Sequence, residues 1–156
     1  VLQKFDTVLK RDFRGILLKN VVEYIDDAVK NYGSYIFDSA SLSFALDSND
    51  ISVKLNNKEY EMLSGGEKQK VDIIVQFALR DMLCNYLGFD CNILVLDEVF
   101  DNLDSVGCDK VIQLITNKIN SVNRIYIISH HAEELDIPVD SYLVVEKDST
   151  GVSFVK

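Results

Sequence analysis

The sequence lacks an apolar stretch long enough to span a bilayer, and it does not open with a basic segment, an apolar run and a cleavage site. A membrane protein and a protein with a leader peptide are therefore disfavoured. The first residue is Val rather than Met, so we expect the natural N-terminus to lie upstream. With 156 residues, 47% of them hydrophobic, the chain can bury one globular core.

Cysteine is scarce, and the 16 basic residues are outnumbered by 25 acidic ones. Cys84, Cys91 and Cys108 are odd in number and are not in CxxC spacing, so neither a disulfide framework nor a zinc site is favoured, and we expect a cytoplasmic location. The formal net charge of −9 repels a polyanion over most of the surface. Any contact with nucleic acid must therefore come from a local patch or from a partner.

A phosphate-binding loop is also missing. The pattern Gly-x-x-x-x-Gly-Lys-Ser/Thr does not occur, and none of the seven glycines is followed by Lys. The chain therefore cannot hold a nucleoside triphosphate by itself in the way that such a loop does.

What is present begins with helical periodicity. From Leu2 to about Tyr32, apolar residues recur every three or four positions with charges between them, which predicts a long amphipathic helix. Two alternating runs follow, at 41–46 and 51–55, with the turn-prone sequence DSND between them. These runs predict an antiparallel pair of strands.

Strand and helix alternate from residue 64 onward. The pattern predicts a helix ending near Gly88, an apolar strand at 93–96, a helix from about Ser105 to Asn120, an apolar strand at 125–128, a short helix around Glu133 and two C-terminal strands at 142–145 and 152–155. This alternation is typical of an α/β fold in which helices cover a parallel-type sheet, and in which chemistry collects at the carboxyl ends of the strands.

Two carboxylates, Asp97 and Glu98, follow the run ILVL at 93–96. They could simply begin the next loop. The alternative is a Walker B element, in which the first carboxylate serves Mg²⁺ and the second orients or deprotonates a water that attacks a phosphate. A general base is worth typically about 10² to 10⁴ in rate, so Glu98 is the residue whose loss should reduce turnover most.

Ser129, His130 and His131 follow the run at 125–128. A His at a strand end is more often a structural hydrogen-bonding residue than a catalytic one. His130, however, leaves a strand that we expect near the strand of Asp97, which would put its imidazole where a terminal phosphate lies. We expect His131 to begin the next helix, and it is the weaker candidate.

The sequence LSGGEKQK at 63–70 opens the second helix. Ser64 and Glu67 have the spacing of a capping box, which explains these two residues structurally. Gly65 and Gly66 cost helix stability, so they are better explained by backbone N–H groups that must approach something closely. Because a helix N-terminus favours an anion, a phosphate is the natural candidate.

Together and in this order, LSGGEK, ILVLDEVFDNLD and IYIISHHAEEL resemble the signature motif, Walker B, D-loop and switch histidine of the C-terminal lobe of an ABC-type ATPase head. Within that superfamily, residues 63 to about 147 resemble the SbcC-type ATPases of double-strand-break repair and their bacteriophage version. The resemblance implies two parts, with 1–36 as the returning base of a coiled coil and 37–156 as the C-terminal ATPase lobe.

The resemblance assigns part of the chain to contacts with a second head. Ser64, Gly65 and Gly66 would contact the γ-phosphate of an ATP held mainly by the opposite head, and Glu67 of the same motif is assigned to the nucleotide-binding set with them. Asn102 and Asp104, in DNLD, would form the D-loop across the dimer interface.

The remaining motif residues would act on the ATP of their own head. Asp97 would serve Mg²⁺, Glu98 the attacking water, and His130 the γ-phosphate. Val99-Phe100 stands where SbcC-type proteins often have Pro-Thr. In having Val directly after Asp-Glu, the sequence resembles the chromosome-condensation SMC proteins. Those proteins usually lack the Ser-His pair that this chain keeps.

The partners that the resemblance implies are an N-terminal half that supplies the missing phosphate loop, a second copy of the head, an SbcD-type manganese-dependent nuclease, and DNA, in a bacterial cell or a phage-infected host. Phe5, Phe13 and Leu17 are candidates for a nuclease-docking surface, although packing against the other strand of the coiled coil explains them better. Two rivals stay open. One is the nucleotide-binding domain of a transporter, which the long first helix disfavours, and the other is an SMC-type tether that clamps DNA without a catalytic role.

Overall fold

The computed structural model describes residues 2–39, 41–47, 50–119, 122–130 and 137–156. The elements follow in the order α1 (Leu2–Ile36), β1 (Leu42–Asp47), β2 (Asp50–Leu55), β3 (Lys58–Glu59), a 3-10 turn (Tyr60–Met62), α2 (Gly65–Leu87), β4 (Ile93–Asp97), α3 (Ser105–Ile119), β5 (Arg124–Ile128), β6 (Val145–Lys147) and β7 (Ser153–Val155). The predicted α/β class is confirmed.

The described strands form three small sheets. β1, β2 and β3 make an antiparallel meander, in which Leu42 pairs with Leu55 and Phe44 with Val53, as the two alternating runs predicted. β4 and β5 pair in parallel, and β6 and β7 form an antiparallel hairpin. β6 begins only at Val145, so the strand predicted at 142–145 overlaps it by one residue.

The core lies where α1, α2 and α3 meet. Among its fully buried side chains are Val29, Ile74, Phe77 and Leu114, none more than 2% exposed. Burying one such side chain stabilises the fold by roughly 1.5 to 3 kcal/mol. This packing fixes the direction of α2, whose first turn carries the signature sequence.

The described side chains of α1 are buried on one face only from about Val21 onward. Val22, Ile25 and Val29 are spaced three and four residues apart and are at most 6% exposed. Upstream, Ile16 is 59% and Leu17 46% exposed. The proposed docking residue Leu17 therefore lies on a free surface of α1, whereas the side chains of Phe5 and Phe13 lie outside the described part.

A polar cluster joins the three helices beside the core. Lys118 of α3 is only 7% exposed, and its ammonium donates to the Asp81 carboxylate of α2 and to the Tyr32 hydroxyl of α1. Tyr32 also donates to Asp81, and Arg80 pairs with the other Asp81 oxygen at 2.9 Å. Burial, followed by the hydrogen bond to Asp81, raises the pKa of Tyr32.

The parallel pair β4–β5 is covered on one face only. Leu94, Leu96, Ile125 and Ile127 pack against the helical core, whereas the alternate side chains stay about half exposed: Ile93 53%, Val95 58%, Tyr126 51% and Ile128 50%. The fully apolar runs predicted a parallel-type sheet covered by helices, and the described residues cover one face of it.

Two predicted features fall outside the described residues, namely the short helix around Glu133 and the residue His131. α3 is described to Ile119, so its predicted end at Asn120 is likewise not covered. Within the described part, no helix combines the length and the apolar composition that crossing a membrane requires.

Candidate functional site

The parallel register of β4 and β5 brings two polar loops to one edge of the sheet. Asp97 pairs with Ile128, and the Glu98 amide donates to the Ile128 carbonyl at 3.0 Å. Both strands therefore end at the same level, and the residues that follow them emerge side by side.

Glu98 and His130 meet at this edge. The imidazole Nε2 lies 3.0 Å from Glu98 Oε1, which is hydrogen-bonding distance, and the two side chains are 85% and 29% exposed respectively. The proximity predicted from the two strand ends is confirmed. The imidazole is open to solvent, whereas the carboxylate is mostly covered.

The backbone and the second oxygen of Glu98 are both unusual. Glu98 has φ 51°, in the left-handed region that a non-glycine residue rarely adopts. Its Oε2 is buried and has no hydrogen-bond partner in the described chain. Strain and unpaired buried polar atoms are costly and cluster at functional sites, so both features favour a chemical role for this residue.

Val99 and Phe100 anchor the loop that carries Glu98. They are 5% and 6% exposed, so the side chains that replace the Pro-Thr of SbcC-type proteins insert into the core. Turn hydrogen bonds from Asp101 N to Glu98 O at 3.2 Å and from Leu103 N to Phe100 O at 3.3 Å complete the loop. The departure from the family pattern thus has a packing explanation.

Asp104 directly precedes α3, and Asn102, two residues earlier, has a left-handed conformation with φ 59°. The Asp104 carboxylate accepts from Gly107 N at 2.8 Å, and Lys70 Nζ lies 3.7 Å away. The bond from Gly107 and the charge of Lys70 lower the pKa of Asp104. Within this chain Asp104 caps the N-terminus of α3. The side chains of Asn102 and Asp104 are both exposed, so another molecule can reach them.

The first turn of α2 contains the predicted capping box. Ser64 N and Ser64 Oγ both donate to Glu67 Oε2 at 2.8 Å, and Glu67 N donates to Ser64 Oγ at 3.3 Å. The bonds from Ser64, led by its backbone N–H, lower the pKa of Glu67. The Glu67 carboxylate is therefore the anion that this helix N-terminus holds in the isolated chain.

The two glycines of this turn have different surroundings. A Cβ on Gly66 would lie 3.0 Å from the Asn102 carbonyl oxygen, so close packing within the chain already favours glycine there. A Cβ on Gly65 would meet nothing within 4 Å, and Gly65 is exposed. At Gly66, the group that approaches the backbone closely is the Asn102 carbonyl of the same chain. At Gly65, the close approach of a phosphate stays a prediction.

Gln69 is a site residue that the sequence analysis missed. Its amide Nε2 lies 3.4 Å from the carbonyl oxygens of both Glu98 and Val99. Gln69 follows Gly66 by three positions and so lies on the face of α2 that contacts the Glu98 loop. The contact of this helix face with the loop is visible only in the structure, so the sequence carried no signal for Gln69.

Asp97 is exposed at the end of β4. No group of three or more His, Cys, Asp or Glu side chains within the described ranges could hold a metal ion. Mg²⁺ commonly binds through one or two carboxylates together with substrate phosphates and water. A single exposed aspartate at a strand end fits that kind of shared site.

Comparison with known proteins adds a family match. A family model described as SbcC/RAD50-like, Walker B motif, matches residues 35–117, just over half of the chain. The probable exonuclease subunit 2 of Escherichia phage T5 is 26% identical over 147 residues, which cover 91% of this chain and 23% of that protein. Exonuclease subunit 2 of Escherichia phage RB69 is 30% identical over 141 residues, covering 83% of this chain and 24% of that protein.

Solved structures give the fold. The Smc head domain with a coiled coil and joint derived from Pyrococcus yayanosii matches with a TM-score of 0.75 at 18% identity, covering 98% of this chain and 30% of that one. The chain thus has the fold of part of an SMC-type head, and it spans about a quarter of the length of the phage relatives.

Proposed function

The chain belongs to the SbcC/RAD50-like Walker B family, and from that membership we propose that it is the C-terminal lobe of an ATP-binding and ATP-hydrolysing head. The head dimerises on ATP and regulates a partner nuclease at DNA ends. In this proposal, residues 37–156 form the lobe, and 1–36 form the base of the returning coiled-coil strand.

The observation that carries the proposal is the pairing of Glu98 with His130 at the carboxyl edge of β4–β5. One Glu98 oxygen lies 3.0 Å from the imidazole, and the other is buried without a hydrogen-bond partner among the described residues. A carboxylate held in this way can accept a proton from a water placed against Oε2, while the exposed imidazole faces the terminal phosphate. Asp97 would hold Mg²⁺, which when bound neutralises phosphate charge.

The half-exposed sheet face supports an N-terminal half as the first partner. Parallel strands are normally covered on both faces, and here four alternate apolar side chains of β4 and β5 remain open. The chain also lacks a phosphate loop and matches only 23% of the T5 relative. An N-terminal half of the same protein would supply both the cover and the loop.

The open turn at Gly65 supports a second head as the next partner. Ser64 and Gly65 are exposed at the N-terminus of a helix of 23 residues, where backbone N–H groups favour an anion. Gly66 and Glu67, half-buried beside them, complete the surface, and Asn102 and Asp104 flank it. An ATP held by the opposite head would bind there and join the two heads.

The names of the phage relatives support a nuclease partner, which we propose to be of the SbcD type. The T5 and RB69 proteins are both called exonuclease subunit 2. The net charge of −9 favours DNA binding through that partner or through a local patch rather than over the whole surface. Leu17, on the exposed side of α1, is a candidate for the nuclease contact, although packing against the other strand of the coiled coil explains it better. We expect the complex in the cytoplasm of a bacterial or phage-infected cell.

The test is Glu98→Gln in the full-length protein that contains this chain, with Glu61→Gln, an exposed glutamate of the 3-10 turn, as the matched control. We expect E98Q to lower the kcat of ATP hydrolysis by about 10² to 10⁴ and to prolong ATP-dependent head dimers, whereas E61Q changes neither. Unchanged hydrolysis by E98Q would refute the assignment. If nuclease activity at DNA ends does not respond to ATP, the SMC-type tether is favoured instead.

A further inference from the structure

One face of α2 contacts the loop from Glu98 to Asp104 at three successive points. The Gly66 backbone packs against the Asn102 carbonyl, the Gln69 amide reaches the start of the loop, and Lys70 lies 3.7 Å from Asp104. The helix turn that carries the signature sequence and the loop that carries Glu98 are therefore in direct contact within one chain.

Gln69 makes the contact nearest to Glu98. A side-chain amide has two N–H groups, so Nε2 can donate to two acceptors, and the Glu98 and Val99 carbonyls each lie 3.4 Å from it. Gln69 is half-buried, which limits the water available to replace it. These carbonyls belong to the two peptide groups on either side of Val99, the residue that follows the left-handed Glu98.

A left-handed glutamate needs support from its surroundings. The amide of Glu98 is held by Ile128, the side chain of Val99 is buried, and Gln69 holds the two carbonyls. The direction of the Glu98 side chain follows from this backbone conformation, because χ1 preferences depend on φ and ψ. Losing one support would let the buried Oε2 turn away from its present position.

We propose that Gln69 is a positioning residue for Glu98, which it holds through the backbone at 98 and 99 in the conformation that ATP hydrolysis requires. The inference rests on the proposed function.

The experiment compares Gln69→Leu, Gln69→Lys and the control Gln113→Leu in the full-length protein. Leu keeps the bulk but loses the donors, Lys keeps donors, and Gln113 is an exposed glutamine of α3. We expect Q69L to lower kcat roughly 10- to 100-fold, with the KM for ATP and the ATP-dependent dimer changed less than about twofold. Q69K should recover kcat to within about threefold of the parent protein, and Q113L should match the parent.

A second measurement separates positioning from packing. Added to E98Q, Q69L should lower the residual kcat no further, because it acts through Glu98. The inference is overturned if Q69L turns over like Q113L, if Q69K fails to recover kcat, or if Q69L and E98Q lower it additively. If E98Q itself keeps full turnover, the proposed function fails; if E98Q loses turnover and Q69L does not, only the role of Gln69 fails.

Discussion

Replacing Gly65 by Ala separates two effects that the same glycine has on the protein. Gly65 opens α2, its φ is not positive, and an added Cβ would meet nothing within 4 Å in the described chain. Alanine is therefore compatible with the backbone of the isolated head. In the ATP-bound dimer, however, the added methyl group would lie where the proposed function puts a phosphate of the opposite head.

The two effects have opposite signs. For the free head, Gly→Ala at a compatible helical position raises the free energy of unfolding by about 0.4 to 1 kcal/mol. For the dimer, displacing the phosphate from a backbone N–H removes a charge-assisted hydrogen bond worth roughly 1.5 to 3 kcal/mol at each site. With the substitution in both heads, the two sites together lose roughly 3 to 6 kcal/mol, which weakens the ATP-dependent dimer by about 100-fold or more.

The assay measures both quantities on the full-length protein. Hydrogen exchange of the α2 amides gives the local stability without nucleotide, and sedimentation with ATP in the Glu98→Gln background gives the dimer dissociation constant. Gly15→Ala is the matched control, because Gly15 is also helical with nothing within 4 Å of an added Cβ. It should stabilise its helix and leave the dimer unchanged.

The reasoning is refuted if Gly65→Ala stabilises α2 and the dimer forms as tightly as before. In that case the backbone at Gly65 does not meet a phosphate, and its exposure in this chain has another cause. A loss of dimer with a parallel loss of α2 stability would also count against it, because the substitution would then act through the fold rather than through the interface.

Two further predictions concern the Tyr32–Asp81–Lys118 cluster. Lys118→Met should lower the free energy of unfolding by about 2 to 3 kcal/mol. This is less than the roughly 3 to 5 kcal/mol expected for breaking a fully buried ion pair, because Asp81 is 23% exposed and keeps its contact with Arg80. Hydrogen exchange of the α2 and α3 amides should show the loss, and adding Asp81→Asn should recover part of it. In the folded chain the pKa of Tyr32 is raised above its ordinary value of 10.0. The stability that the protonated Tyr32 hydroxyl contributes is therefore fully present below pH 10.0 and is lost as the pH rises through the folded pKa. Tyr32→Phe should flatten the alkaline decline in a pH series of melting curves, and an equal decline in both proteins would contradict the assignment.

Features that depend on local spacing were predictable from the sequence. The capping box of Ser64 and Glu67 needs only two residue types three positions apart, and Gly88 ends α2 in the left-handed conformation that glycine favours. The approach of His130 to Glu98 was predictable too, because parallel strands of equal length end at one edge.

Features that depend on the path of the chain between elements were not predictable. Tyr32 and Lys118 meet across 86 residues, and no periodicity links them. The left-handed backbone of Glu98 and the contact of Gln69 follow from how tightly the loop after β4 turns, which Val99 and Phe100 decide by inserting into the core. In the sequence, Val99-Phe100 is only a departure from a family pattern.

Three features of this lobe are incomplete in the isolated chain, and they differ in kind. The exposed apolar side chains of β4 and β5 are unfavourable in water at all times, so we expect a partner that covers them to stay bound permanently. The buried Glu98 Oε2 has no hydrogen-bond partner among the described residues, and one water molecule can supply that hydrogen bond and then leave. The turn at Gly65 is polar and stable in solvent, so its partner can come and go. Under the proposed function, these requirements correspond to the N-terminal half, the attacking water and the opposite head, and only the last two would change during an ATP cycle.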